Sequence, residues 1–400
     1  MGKSSEEVRI GLLGAHRGLH LAQKYEGIPG YRLAAVCDGR ADRLAAAREH
    51  LAGEGVRFLT DADELFAAED VDGVFVCVAT EVNAELVCRA LEAGKHVLCE
   101  VPLGYRLEDC WRVVLTVERT GRTFQMAEQT RYWPFVPAWR RMVAEGRLGK
   151  VLLVEGQYFH GFPERSFWWW DPDTGEAFPE AEAKNRPRAV PSRLRNCEHP
   201  IWYLPHELSP MLHVLDDRVR TVVGMATRRE SYVHPGVPIS DMELALMHTH
   251  KDTILRMAAA FNPPSPTVRN IGAHWYHVKG TKGSVETNRA DCDRMKMFLP
   301  EENVVEPAQV QWNYNPRTTP SHALRTGHWG ADYYPMATFV EAVRTGETPP
   351  LDVYTAADTA APAILAATSA EQGSVPLEAP DFRPGPGREH GRAPGAFPHL

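Results

Sequence analysis

Four hundred residues are enough for two packed domains with full cores. The composition, 44% apolar and 24% charged, is that of an ordinary globular protein, and a net charge of -8 with scattered basic residues excludes nonspecific binding to nucleic acid. No apolar run approaches the roughly 18 residues of a membrane span, and the short polar start, Met1 to Glu6, has no signal-like apolar core, so a soluble cytoplasmic protein with no membrane partner is expected.

In chain order, short β-branched runs alternate with helical periodicity, the pattern of βαβ units and a parallel sheet. Strands are predicted at Val8–Leu13, Tyr31–Cys37, Gly73–Val78 and His96–Cys99, and helices at Arg17–Tyr25, Ala41–Leu51, Ala62–Phe66 and Val82–Ala93. A helix at Leu107–Thr120, a strand at Thr123–Met126 and a helix at Pro137–Glu145 follow. From Val151 the texture changes to a strand ending at Phe159, a Trp/Pro/Glu-rich insertion to about Cys197, and further strands such as Asp252–Phe261 and Trp275–Lys279.

The expected architecture is therefore α/β. A Rossmann dinucleotide-binding domain (residues 1–149) precedes an α+β substrate and oligomerisation domain (150–381) with an open, mostly antiparallel sheet and one helix, part of whose C-terminal segment can pack back on the first domain. A Pro/Gly-rich tail (382–400) with little to bury is expected to be disordered or an extended arm. The seven cysteines are odd in number and lack CxxC spacing, as expected of reduced core thiols. Neither the seventeen histidines nor His248-Thr-His250 has the spacing of a closed zinc site, so no metal is expected.

Gly11-Leu-Leu-Gly14-Ala-His16-Arg17-Gly18 follows the first strand and opens a helix, the context in which helix amides favour a pyrophosphate. The GxGxxG spacing is broken, since His16 stands near the second glycine's place and Gly18 comes early. Asp38 ends the second strand, where a carboxylate accepts ribose hydroxyls and repels a 2′-phosphate; NAD is favoured over NADP, with Arg40 as the one residue that speaks for NADP. Val76-Cys-Val-Ala-Thr80 brings Thr80 to the sheet's carboxyl edge, and Glu100-Val101-Pro102 follows the next strand.

With Asp38, these residues resemble the Gfo/Idh/MocA family of NAD(P)-dependent oxidoreductases, which usually carries Glu-Lys-Pro where this chain has Glu100-Val101-Pro102. Val101 cannot handle a hydroxyl proton as that lysine does. The segments Phe124-Gln-Met-Ala-Glu128-Gln129, Glu155-Gly-Gln-Tyr158-Phe-His160, Tyr203-Leu-Pro-His206-Glu-Leu-Ser-Pro210, Gly280-Thr-Lys-Gly283 and His328-Trp-Gly-Ala-Asp332-Tyr333 are similar, in order, to those of the lysine-lacking branch, the NAD-dependent glycosidases typified by α-N-acetylgalactosaminidase. Leu204 departs from that branch's usual proline, and the Trp-rich insertion departs from it as well.

The resemblance implies a mechanism that begins with hydride transfer from a sugar carbinol to NAD+, continues by elimination and hydration, and ends by return of the hydride, unlike the two-carboxylate glycosidases. By motif position Tyr158, His160, His206 and His328 are the catalytic candidates; the glycine turn and strand ends offer Gly14, His16, Arg17, Gly18, Asp38 and Thr80 to the cofactor, and the resemblance implies further cofactor contacts from Glu100, Val101, Gln129 and Tyr203. It also implies a substrate contact from Arg195 and subunit pairing through the open sheet, giving a homodimer or homotetramer. Each has a plainer reading: His160 before Gly161 can simply end a strand, His206 can start a helix, Tyr158 can pack on the sheet, and Glu128 is either ligand-facing or a solvated strand end. The cluster Phe167-Trp-Trp169-Trp-Asp171 reads either as a sugar-stacking surface, with Trp169 as its substrate contact, or as a subunit interface.

Three functions follow: a sugar-active NAD-dependent oxidoreductase that releases NADH, a redox-neutral NAD-dependent glycosidase, and a non-catalytic dinucleotide-binding sensor.

Overall fold

The computed structural model describes residues 7–22, 24–51, 55–172, 174–263, 274–289, 295–315, 318–395, 397 and 399–400; the N-terminal hexapeptide and Cys292 lie outside them. Strands β1 (Val8–Leu13), β2 (Tyr31–Cys37), β3 (Arg57–Leu59), β4 (Gly73–Val76), β5 (His96–Cys99) and β6 (Phe124–Met126) are joined through helices α1 (Arg17–Ala22), α2 (Ala41–His50), α3 (Ala62–Ala67), α4 (Thr80–Glu92) and α5 (Leu107–Thr120); α6 (Phe135–Ala144) follows. They form one parallel sheet of order β3-β2-β1-β4-β5-β6. The order reverses between β1 and β4, which opens a crevice at their carboxyl ends, where this class of sheet binds its ligands.

Several boundaries differ from the sequence reading: α1 ends at Ala22 rather than Tyr25, β4 at Val76 rather than Val78, and α4 begins at Thr80 rather than Val82. No strand was expected at β3, because this three-residue edge strand is half-exposed and carries no apolar run. α6 begins at Phe135 rather than Pro137, since a proline in the first turn of a helix forfeits no intrahelical hydrogen bond.

The second half is built on β7 (Val151–Phe159). The insertion, expected to be loop-like, instead forms a small antiparallel sheet of β8 (Trp169–Trp170), β9 (Ala177–Phe178) and β10 (Val190–Pro191), with short helices α7 (Glu180–Ala183) and α8 (Arg193–Asn196). Then come α9 (Pro205–Leu215), β11 (Val219–Ala226), β12 (Glu243–Thr249), β13 (Ile254–Ala260), β14 (His274–Gly280), β15 (Ser284–Glu286), β16 (Met295–Leu299) and β17 (Val304–Val310). α10 (Tyr333–Thr345), α11 (Val353–Glu371) and β18 (Leu377–Glu378) close the series. The nine-stranded sheet runs β17-β16-β15-β14-β7-β13-β12-β11-β18, open at both ends and antiparallel except for β7 with β13.

One face of this sheet packs on α9, whose Leu208 and Met211 are fully buried in the same core as Val154 and Met257. The last two helices do more than the single expected helix. Met336 and Phe339 of α10 pack on the first sheet, while α11 spans both halves and touches α5 and β11. The alanine-rich face of α11 lets it approach closely: a Cβ on Gly224 of β11 would stand 1.8 Å from the Ala366 carbonyl oxygen.

Among the described residues no helix is long and apolar enough to cross a membrane, no group of three or more His, Cys, Asp or Glu could hold a metal, and the six described cysteines are buried free thiols. His248 bonds Asp252 at 2.7 Å, and its other ring nitrogen lies 2.7 Å from Arg220. The tail is anchored on the first domain: Phe382 packs on Trp111 with ring centroids 4.5 Å apart, and Arg388 forks onto Glu118 at 2.9 and 2.5 Å.

Both Arg388 and Glu118 side chains are nearly solvent-excluded, so removing one strands the other's charge. Arg388→Ala is expected to cost about 3–5 kcal/mol, seen as a lower urea midpoint at unchanged slope; an unchanged midpoint would show that the tail contributes nothing to folding.

Candidate active site

The dinucleotide end is built first by backbone geometry. Gly14 leaves β1 with φ +99°, and a Cβ there would lie 2.2 Å from the Cys77 carbonyl oxygen, so only glycine lets the chain turn at this edge. The turn is tied to β2 by Ala15 N, which donates to Asp38 Oδ2 at 2.8 Å; Arg40 N donates to Oδ1 at 3.0 Å. Asp38 is thus buried and fixed at the sheet edge with lone pairs left for ribose hydroxyls. Arg40 is committed to Asp42 through Nε–Oδ1 at 3.0 Å and Nη2–Oδ2 at 2.7 Å, which draws it off from a 2′-phosphate, and the Arg43 guanidinium lies 3.5 Å from Asp38 Oδ2. The cradle, the fixed carboxylate and the occupied guanidinium fit NAD better than NADP.

Of the other predicted cofactor residues, His16 is exposed at the turn and Gly18 is buried within α1. Arg17 pairs with the buried Glu100 through Nε–Oε1 at 3.0 Å, and the Glu100 charge foremost holds its guanidinium above the ordinary value. Thr80, Val101 and Gln129 are buried; Val101 belongs to the apolar core beside Leu103 and precedes the cis bond to Pro102. Asn83 donates to the carbonyls of Glu100 and Pro102, which pins this segment against α4.

The second cluster joins both domains. Glu128, just beyond β6, is fully buried, and its Oε1 accepts from Thr130 N and Oγ1 at 2.8 Å each. Its Oε2 stands 2.6 Å from His206 Nδ1, off the line of an ideal hydrogen bond. Burial pushes this carboxyl up, but His206 and the Thr130 bonds outweigh burial and hold it below the usual carboxylate range. His206 is the second residue of α9, entered through Pro205, and its carbonyl accepts from Tyr276 Oη at 2.9 Å.

Tyr158 lies 5.3 Å from the His206 ring and stacks in parallel with Tyr203 at 6.3 Å. His160, on the same side of the strand two residues on, stacks on Phe162 at 4.0 Å, and its Nδ1 is buried without a hydrogen-bond partner. Burial first, then the charges of His206 and His328, keep His160 below the ordinary imidazole range.

His328 Nδ1 meets Asp332 Oδ1 at 2.6 Å, and Asp332 Oδ2 meets Lys24 of the first domain at 2.9 Å. Asp332 is buried, which works against ionisation, yet these two partners hold it far below its ordinary value. His328 and Trp329 both adopt left-handed backbone, φ 50° and 61°, before Gly330, a strained turn of the kind that persists where the surroundings fix it.

Two residues here were missed by the sequence reading as site members. His274 of β14 sits opposite Tyr158 in the β7–β14 register, with ring centroids 4.8 Å apart. Its Nδ1 is 2.6 Å from Glu207 Oε1, and both side chains are buried. Burial and the neighbouring Glu128 charge push Glu207 well up; burial and three nearby histidines, His206 first, push His274 well down. These directions favour the uncharged form of each partner. Glu207 stood inside a quoted motif without any mark of burial, and His274 could be found only through the strand register.

Arg195 and Trp169 are brought together with each other but not with this cluster. The Arg195 guanidinium lies 5.7 Å from the Trp169 ring and is held by Glu180 at 2.5 Å and the Phe167 carbonyl at 3.4 Å. The described contacts reach the cluster only indirectly, through Phe167 against His234 and His234 against the Phe162 carbonyl.

Comparisons with known proteins agree with both halves of this picture. Residues 8–128 match the oxidoreductase family with an NAD-binding Rossmann fold, and residues 136–387 match the C-terminal domain of glycosyl hydrolase 109. A glycosyl hydrolase family 109 protein of Streptomyces niveus is 28% identical over 94% of this chain and 78% of its own length, and one of Porphyromonas gingivalis is 27% identical over 95% and 85%. Among solved structures, a levoglucosan dehydrogenase in complex with NADH and L-sorbose superposes with a TM-score of 0.75 at 15% identity, over 94% of this chain and all of that one. An oxidoreductase domain protein from Kribbella flavida gives 0.74 at 19%, with the same coverage; at such identities these two speak for the fold alone. The chain belongs to glycosyl hydrolase family 109, joining an NAD-binding Rossmann domain of the Gfo/Idh/MocA oxidoreductases to that family's C-terminal domain.

Proposed function

We propose that the protein is a sugar-active enzyme that oxidises a secondary hydroxyl carbon of a glycoside with NAD+ and completes a redox-neutral glycosidic cleavage. The observation that carries this reading is the buried Glu128–His206 pair beside Tyr158, at the carboxyl edge of the NAD-binding sheet, where Val101 is apolar. Bound NAD+ would supply a reversible acceptor for the hydride of the carbinol carbon. Gly14, Asp38 and the Arg17–Glu100 pair are the groups that would hold it. The chain's own residues must move the protons.

Glu128 fixes the His206 Nδ1 side and its charge favours a proton there, which leaves Nε2 to exchange with substrate. Tyr158 stands within one ring width of His206 and supplies a hydroxyl for the second proton. Burial disfavours charge on His160 and His274, while His206 and His328 each stand against a buried carboxylate. A net dehydrogenase shares the first step and differs only in releasing the reduced cofactor; a sensor needs none of this proton machinery.

The same reading places the enzyme in the cytoplasm, supported by its six described free thiols, and assembles it as a homodimer or homotetramer through the outer face of the nine-stranded sheet. Leu152, Met225, Leu246 and Ile254 leave 48%, 62%, 49% and 52% of their surface exposed on β7, β11, β12 and β13, more apolar area than isolated residues explain. Sedimentation should show a dimer or larger that Leu246→Arg weakens; a monomer at micromolar concentration would remove this element.

The decisive assay follows aryl glycosides and free sugars by aglycone release and by NADH absorbance together. Aglycone release without net NADH is expected; stoichiometric NADH with free sugars would establish the dehydrogenase instead. Glu128→Gln and Tyr158→Phe are each expected to lower kcat/KM by about 10²–10⁴-fold, whereas turnover unaffected by either substitution would refute the assignment.

The Glu207–His274 pair makes a separate stability prediction. A carboxyl raised in the folded state contributes fully only below the unfolded value near 4.5, and that contribution is lost as pH rises toward the folded value. Glu207→Gln keeps a hydrogen-bonding side chain without that cost. It should be more stable than the wild type at neutral pH, by a margin growing about 1.4 kcal/mol per pH unit above 4.5; a pH-independent difference would show that Glu207 is ionised in the native state.

A further inference from the structure

A cavity of about 270 Å³ lies beside the candidate active site, walled by Trp312, Tyr314 and Trp329 and edged by the amides of Gln311 and Asn313. Its volume is near the lower end of the range for small-molecule sites, suited to a single ring. Aromatic faces with amides at the rim are the chemistry that recognises a ring with an apolar face and polar substituents.

The Tyr314 hydroxyl is buried without a hydrogen-bond partner, which costs free energy unless something fills the role. The ring itself is fixed by stacking on Tyr334, centroids 5.6 Å apart, and Tyr334 stacks on Tyr132 at 5.4 Å.

Two stretches of chain connect the cavity to the reacting groups. The run from Thr130, which holds Glu128, reaches the cavity wall at Pro134 four residues later. On the other side, the left-handed turn gives His328 to Asp332 and the very next residue, Trp329, to the cavity. Trp133 ties the two stretches together, donating from Nε1 to the His328 carbonyl at 3.0 Å and meeting the His274 ring edge-on at 5.0 Å. A tryptophan in a backbone conformation that disfavours large side chains is unexpected unless its indole is wanted where it stands.

We propose that this cavity binds the second six-membered ring of the glycoside, the leaving-group side, stacking it between Trp312 and Trp329 and hydrogen-bonding its substituents through Tyr314, Gln311 and Asn313. The proposal rests on the glycosidase reading and adds to it a specificity site for the aglycone, either a sugar or an aryl ring.

The test measures binding rather than turnover. With NADH in place of NAD+, so that no hydride can be accepted and no ligand is turned over, methyl and 4-nitrophenyl glycosides of glucose, galactose and N-acetylgalactosamine, and the matching disaccharides, are titrated by calorimetry into wild type, Trp329→Gly, Trp312→Phe and Leu324→Trp. Leu324 lines the cavity and is 50% exposed, so a tryptophan there fills the space without disturbing the core.

For at least one sugar, the two-ring ligand should bind about tenfold more tightly than its methyl counterpart (about 1.4 kcal/mol), and all three variants should reduce that ratio toward one. A ratio near one for every sugar in the wild type, or a ratio that survives the filled cavity, would overturn the assignment. Absence of aglycone release with the ratio intact would refute the glycosidase reading alone and leave the cavity standing. Preference for the disaccharides over the nitrophenyl compounds identifies a sugar as the natural occupant; the reverse identifies an aryl group.

Discussion

The contact between Glu128 and His206 is the constraint on which the rest of the molecule turns. One partner comes from the edge of the parallel sheet and the other from the first turn of α9, so the pair exists only when the two domains are locked in register. Burying two such groups carries a desolvation cost that their attraction repays only if the remaining valences are satisfied. Thr130 provides for the carboxylate, and Thr130 and Tyr276 both reach the His206 carbonyl. The pair therefore contributes less to stability than to fixing one arrangement of the domains and one orientation of the imidazole. α10 and α11, which return to the first sheet after the second is complete, serve the same end.

The loss of the lysine at Val101 is intelligible in that setting. In the apolar core beside Leu103, an ammonium at this position would need a counter-charge, and nearby Glu100 is already engaged with Arg17. In the proposed mechanism, proton handling falls instead to side chains of the second domain across the crevice. His206 and His328 each lean on a carboxylate, while His160 and His274 are kept from competing for protons by burial. Four imidazoles close together would repel one another if all were charged, and the burial that disfavours charge on His160 and His274 eases that conflict.

How much of this could be read in the sequence depends on the distance over which each signal acts. The strands of the first sheet were legible because each is buried on both faces and so reads as a short apolar run; β3, an exposed edge, was not. Tyr158, His160, His206 and His328 were legible because ordered motifs carry them. His274 lies 116 residues beyond Tyr158 and becomes its neighbour only through the β7–β14 register, which one sequence does not specify. Burial of Glu128 and Glu207 was likewise invisible, since a carboxylate beside a strand is more often solvated. The insertion misled for a related reason: strands of two residues leave no periodicity, and the pairing of Arg195 with Glu180 and Trp169 is internal to that small sheet.

The insertion also bears on the cofactor. A Cβ on Gly175, in the insertion, would lie 2.6 Å from Arg40 Nη2, and the Asp171 charge adds to those that hold this guanidinium above its ordinary value, after the leading hydrogen bond to Asp42. Arg40 is thus bound in a fork by Asp42 and approached by a segment from the other domain, at the edge where Asp38 stands. The residue that spoke for NADP in the sequence is the one the fold has closed against a 2′-phosphate.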